Sequence, residues 1–116
     1  MPQVDVDVDY IYRDDEKRYA IRLAMDACEL TVHVPMTDVS KIAEVRSTPW
    51  LKGALQIGES ADAPAFWSVG DDEETKDTVS ILLGHDDQTW DIAVRMPVSV
   101  IDDIARAIAK RDAEKE

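Results

Sequence analysis

Asp5, Asp7, Asp9 and Glu16 stand at the first, third, fifth and twelfth positions of a stretch spaced like the ligands of a calcium loop. The sixth position, where such a loop turns sharply on glycine, holds Tyr10. Val4, Val6 and Val8 alternate with the acids, which is the period of a half-buried strand. On a strand the carboxylates would stand about 6.6 Å apart, too far for two of them to grip one ion. The stretch is therefore expected to be a strand with a wet carboxylate side, and no metal is expected.

The other chemically capable residues are few. His33 falls on the face of its segment opposite Leu30, Val32 and Val34, and His85 sits in a GHDDQ turn. Neither has partners at a ligand or catalytic spacing. Cys28 lies between acids that would raise its thiol pKa, so a small buried thiol is expected. No GxSxG, HExxH or Walker motif occurs, and the four glycines form no phosphate cradle. No catalytic residue and no cofactor are expected.

Charge is the strongest global signal. The chain carries 25 acidic and 13 basic side chains, for a formal charge of −12 over 116 residues. Such a surface repels nucleic acid and anionic lipid and attracts basic proteins. The acids concentrate in turns: 14–16, 71–77 and 86–87. In a meandering sheet alternate turns share an end, so these could form one negative rim. Asp71, Asp72, Glu73, Glu74, Asp86 and Asp87 are the candidate protein-binding residues. Trp67 is the candidate anchor, because Phe66 and Trp67 point to opposite faces of a strand and cannot both face a one-sided core. Trp50 is expected nearby. The competing reading is a generic acidic surface with Trp67 covered by a helix, a loop or a second subunit.

The elements that would position these residues follow from hydrophobic spacing. VDVDVDYIY and RYAIRLAM alternate and would pair as a hairpin about Asp15 and Glu16. That register sets Tyr12 beside Tyr19, Val8 beside Leu23 and Asp9 opposite Arg22. The turn lacks Asn-Gly, so a register two residues away stays open. ELTVHV, GALQIGE, AFWSV, TVSILL and TWDIAVRM supply further strands, and SADAP a loop. In the last strand Trp90, Ile92, Val94 and Met96 share one face, with Asp91 and Arg95 outside. Thr37 and Ser99 are read as caps of two helices. Their apolar stripes run through Val39, Ile42 and Ala43, and through Ile101, Ile104, Ala105 and Ile108. DAEKE is expected to fray.

VHVPMTDVSKIAEV and VRMPVSVIDDIARA share a plan of strand, proline, hydroxyl and helix, which suggests two β-β-β-α units in tandem, the second with an added strand. The whole reads as a single α+β domain over 1–116: a twisted antiparallel sheet of six or seven strands with two helices on one face. The other sheet face would be solvated and acidic. The N-terminus has no basic or apolar leader region, and no run reaches ~20 apolar residues, so a cytoplasmic protein without a membrane span is expected.

The leading functional expectation is a non-enzymatic binding or inhibitor module that meets a basic protein partner. In size, acidity and lack of catalytic motif the chain is similar to immunity or antitoxin-like inhibitors, a likeness that no motif carries. A second expectation is a self-assembling structural or adaptor subunit, a homodimer joined by an edge strand or the Phe66–Trp67 face. A third is a small-molecule or enzymatic pocket between sheet and helices, centred on His33 or His85.

Overall fold

The computed structural model describes residues 3–50 and 53–114. Seven strands follow one another in a single antiparallel sheet: β1 (Asp5–Arg13), β2 (Glu16–Ala24), β3 (Glu29–Pro35), β4 (Leu55–Ser60), β5 (Ala63–Val69), β6 (Thr78–Gly84) and β7 (Trp90–Pro97). A helical segment leaves β3 at Pro35. It consists of a 3-10 turn Met36–Asp38, the short helix α1 (Lys41–Glu44) and a second 3-10 turn Val45–Ser47. Helix α2 (Val100–Ala113) follows β7. Three strands and a helix, then four strands and a helix, is the α+β order that the repeated strand-proline-helix plan implies.

Alternation sets the two faces of the sheet. Tyr19, Ile21 and Leu23 on β2, Leu30, Val32 and Val34 on β3, and Ala65, Trp67 and Val69 on β5 are buried on the helix side. Val79, Ile81 and Leu83 on β6 join them. The helices close this core with Ile42, Val45, Val100, Ile101 and Ile104. Each fully buried aliphatic side chain contributes roughly 1.5–3 kcal/mol. Val45 and Val100 belong to the core in place of Ala43 and Ala105, which are exposed. The first helical segment bends through two 3-10 turns, and this moves its inward positions from a regular helical stripe.

Several local expectations are corrected. The first hairpin turns on Asp14 and Asp15, and its register pairs Tyr10 with Tyr19, Val8 with Ile21 and Asp7 with Arg22. Both turn residues have positive φ, 53° and 65°. That is the twist a two-residue hairpin requires, and aspartate tolerates it. Residues Ala61 and Asp62, with φ of 51° and 66°, make a second two-residue hairpin where a loop was expected. Neither Thr37 nor Ser99 caps a helix with its side chain. The expected fraying does not begin at Asp112, since α2 continues to Ala113; residues 115 and 116 lie outside the described residues.

The face away from the helices is wet over β1, where Asp5, Asp7 and Asp9 are exposed. Over β5 and β6 it is not, for Phe66, Ser68, Thr78 and Leu82 are buried there. The chain between the first helical segment and β4 crosses to that side. Thr48 accepts a hydrogen bond from the Val69 amide at 3.1 Å, Pro49 bridges Val69, and Trp50 reaches across toward β7.

Candidate functional site

A trough lies on the face of β5, β6 and β7 opposite the helices. Its volume is about 440 Å³. Ser68, Ser80, Leu82 and Ala93 form the floor, Trp50 and Trp90 stand at one side, and Asp71, Asp72 and Thr75 close one end. Arg95 lies in the floor near the acids.

A bulge puts Trp90 there. Leu83 pairs with Ile92 while Gly84 pairs with Trp90, so Asp91 is an extra residue in the ladder. Beyond it the alternation reverses, and Trp90 leaves the face shared by Ile92, Val94 and Met96. The expectation that all four lie together is corrected on this point. Gly84 permits the approach, since a Cβ there would stand 2.3 Å from the Trp90 Cα. Trp50 and Trp90 meet edge to face, with ring centroids 5.7 Å apart and planes at 88°. Trp90 remains 40% exposed.

The two acidic loops that flank β6 share one construction. Asp72 Oδ1 accepts hydrogen bonds from the Glu74 amide (3.0 Å), the Thr75 amide (2.9 Å) and the Thr75 hydroxyl (2.8 Å). Asp86 Oδ1 accepts them from the Gln88 amide (2.8 Å), the Thr89 amide (2.8 Å) and the Thr89 hydroxyl (2.9 Å). DEET and DDQT are thus two copies of an Asp-x-x-Thr turn, a sequence signal that the reading by charge alone passed over. The Thr75 hydroxyl, foremost among the donors, holds the Asp72 carboxyl below its ordinary value, and the Gln88 amide does the same for Asp86.

The candidate acids therefore divide. Asp72 and Asp86 shape their loops, and Glu73 pairs with Lys76 at 3.0 Å. Asp71 lines the trough, Glu74 is exposed, and Asp87 lies against the Ala54 amide at 3.5 Å. The two loops do not form one rim at one end of the sheet. They leave opposite ends of β6, with the trough between them.

Trp67 is no surface anchor. It is fully buried on the helix side, and its indole N–H donates to the Ile57 carbonyl at 3.0 Å. Phe66, its neighbour, faces the other way and is 9% exposed. The bulge supplies an exposed aromatic, Trp90, in its place, and the crossing segment brings the half-buried Trp50 against it. His33 pairs across to Glu59 on β4, His85 sits in the β6–β7 turn, and neither lines the trough. Cys28 is an exposed free thiol, against the expectation of burial, because it falls in the β2–β3 turn. Among the described residues no group of three or more acids, histidines and cysteines is placed to hold a metal ion, and no helix is long and apolar enough to cross a membrane.

A second polar cluster lies where α2 ends on the first hairpin. Asp112 accepts hydrogen bonds from the Tyr10 hydroxyl at 2.5 Å and the Tyr19 hydroxyl at 2.9 Å. Lys17 Nζ stands 3.8 Å from the Tyr10 ring centroid, and Arg111 approaches the same ring and pairs with Asp9 at 3.1 Å. Burial first, and then the Asp112 carboxylate, push the Tyr19 phenol up to about 12. The Tyr10 hydroxyl, foremost among the causes, holds Asp112 below its ordinary value. The cluster fastens α2 to the sheet. No protein-family model, curated protein or solved structure matches this chain, so the functional reading rests on the geometry just described.

Proposed function

We propose that the protein is a non-enzymatic interaction module that receives a basic protein partner in the trough between its two acidic loops. The observation that carries this reading is Trp90: a large aromatic, 40% exposed, braced edge-on by Trp50 and set between loops rich in carboxylates. A braced aromatic offers binding energy at little entropic cost, and the surrounding charge of −12 steers a cationic partner toward it. Asp72 accepts three hydrogen bonds and is held ionised, and both histidines lie elsewhere.

The test compares affinity capture from native cell extract on immobilised wild-type chain and on the Trp90→Ala chain. Basic proteins should be retained by the wild type at low salt and released as salt approaches ~1 M, where the Debye length falls to ~3 Å. The same proteins should be missing from the Trp90→Ala capture, the loss of a central aromatic costing ~2 kcal/mol or more in binding. Recovery of one and the same set on both chains, or of nothing basic on either, would sink the proposal.

A further inference from the structure

The sheet is a meander that ends at β1 on one side and at β7 on the other, so among the described residues each has one edge without a neighbouring strand. The two edges differ. β1 presents Asp5, Asp7 and Asp9, and α2 packs beside it, which is how natural sheets blunt an edge. β7 presents a run of β-formers, with Ile92 53% exposed. Ile92 lies on the helix side of the sheet, beyond the reach of either helix, while Trp90 belongs to the trough.

We infer that β7 pairs antiparallel with β7 of a second copy, about a two-fold axis through Ala93. Charge selects that register. Asp91 and Arg95 are the only charged residues of β7; among the described residues neither makes a close salt bridge, and Arg95 acts on Asp72 only at longer range. An axis at Ala93 sets Asp91 of each copy opposite Arg95 of the other, so symmetry makes two opposite-charge pairs. An axis at Asp91 or at Arg95 would oppose like charges, and one at Ile92 or Val94 would pair neither residue with the other. The same register lays Ile92 of each copy across from Val94 of its mate, covering the most exposed aliphatic side chain of the strand. Directly opposed residues of this kind have Cβ atoms about 4.5–5.5 Å apart, within reach of both kinds of contact.

A strand-edge contact of this length falls well short of the ~800 Å² per partner of a standard interface. With −12 on each copy, the dimer is weak and reversible, and it needs enough salt to screen the repulsion between the two bodies. Ala93 and Arg95 also line the trough, whereas Ile92 faces the opposite side of the sheet, so Ile92→Lys separates a failure of the dimer from a failure of the trough reading.

Sedimentation equilibrium of the full chain over a wide concentration range, at ~0.15 M salt where the Debye length is ~8 Å, tests it. A monomer–dimer equilibrium is expected. Asp91→Arg and Arg95→Asp should each raise the dissociation constant about tenfold or more, since each replaces two attractions by two repulsions. The double exchange, Asp91→Arg with Arg95→Asp, should restore it to within about threefold. Ile92→Lys changes a side chain already half in water, so the monomer keeps its fold while the dimer is lost; it decides the matter if an Arg95 variant fails to fold. A chain that stays monomeric at every concentration overturns the inference, even if it captures an extended segment of another protein. So does a dimer whose constant ignores the single exchanges, or one that the double exchange does not restore.

Discussion

Replacing Tyr19 by Phe removes one oxygen from the junction of α2 with the first hairpin and leaves the ring in the core. The hydroxyl donates to Asp112, at 3.0 Å from one carboxylate oxygen and 2.9 Å from the other. A hydrogen bond to a charged group is worth about 1.5–3 kcal/mol net. Asp112 keeps the Tyr10 donor at 2.5 Å and is partly open to water, so the lower end applies and the loss at neutral pH should be about 1.5 kcal/mol. The stronger signature is in the pH dependence. The Tyr19 phenol is raised from 10.0 to about 12 in the folded protein. A raised pKa contributes stability that is fully present below the unfolded value and is lost as pH climbs through the folded one. Wild-type stability should therefore fall between pH 10 and about 12, by up to ~3 kcal/mol for a shift of about two units, and the Phe variant should lack that fall. Urea unfolding of both proteins across this range, followed by the fluorescence of buried Trp67, measures the difference directly. Parallel stability curves through the alkaline range, or a difference under ~0.3 kcal/mol at neutral pH, would show that the hydroxyl does not hold α2 to the sheet.

Gly58 sits in the β4 bulge with φ of 73°, and a Cβ there would lie 2.5 Å from the His33 carbonyl oxygen. Gly58→Ala should destabilise by roughly 2 kcal/mol or more, read as a lower urea midpoint; an unchanged midpoint would mean that β3 and β4 do not approach so closely. Asp86→Ala should release the Gln88 and Thr89 amides, raising their hydrogen-exchange rates without disturbing the core strands. The Asp86 carboxyl is depressed from 3.8, so its contribution is present above that value and disappears as pH falls through the lower folded one. The wild-type turn should accordingly loosen only in strong acid, and exchange that is equally fast in wild type and variant at neutral pH would refute the Asp-x-x-Thr construction.

Much of the architecture was legible because it depends on period alone. Side chains alternate across a strand, so the valines, isoleucines and leucines of seven segments declared one dry face, and the isoleucine spacing after Ser99 declared the helix that covers it. The exposure of Asp5, Asp7 and Asp9 followed from the same alternation. What depended on a single inserted residue or on partners far along the chain was not legible. The φ values of Asp14 and Asp15 moved the first register by two residues, a choice the sequence had left open for want of an Asn-Gly turn. The extra residue Asp91 turned Trp90 to the other face, and the crossing at Pro49 carried Trp50 to meet it. Trp90 thereby replaced Trp67 as the exposed aromatic. Asp112 looked like the start of a polar tail until folding brought it to Tyr10 and Tyr19, more than ninety positions away in the chain. Local alternation is a property of neighbouring side chains and needs nothing else, whereas a bulge, a crossing and a long-range hydrogen bond exist only once separate segments share one volume.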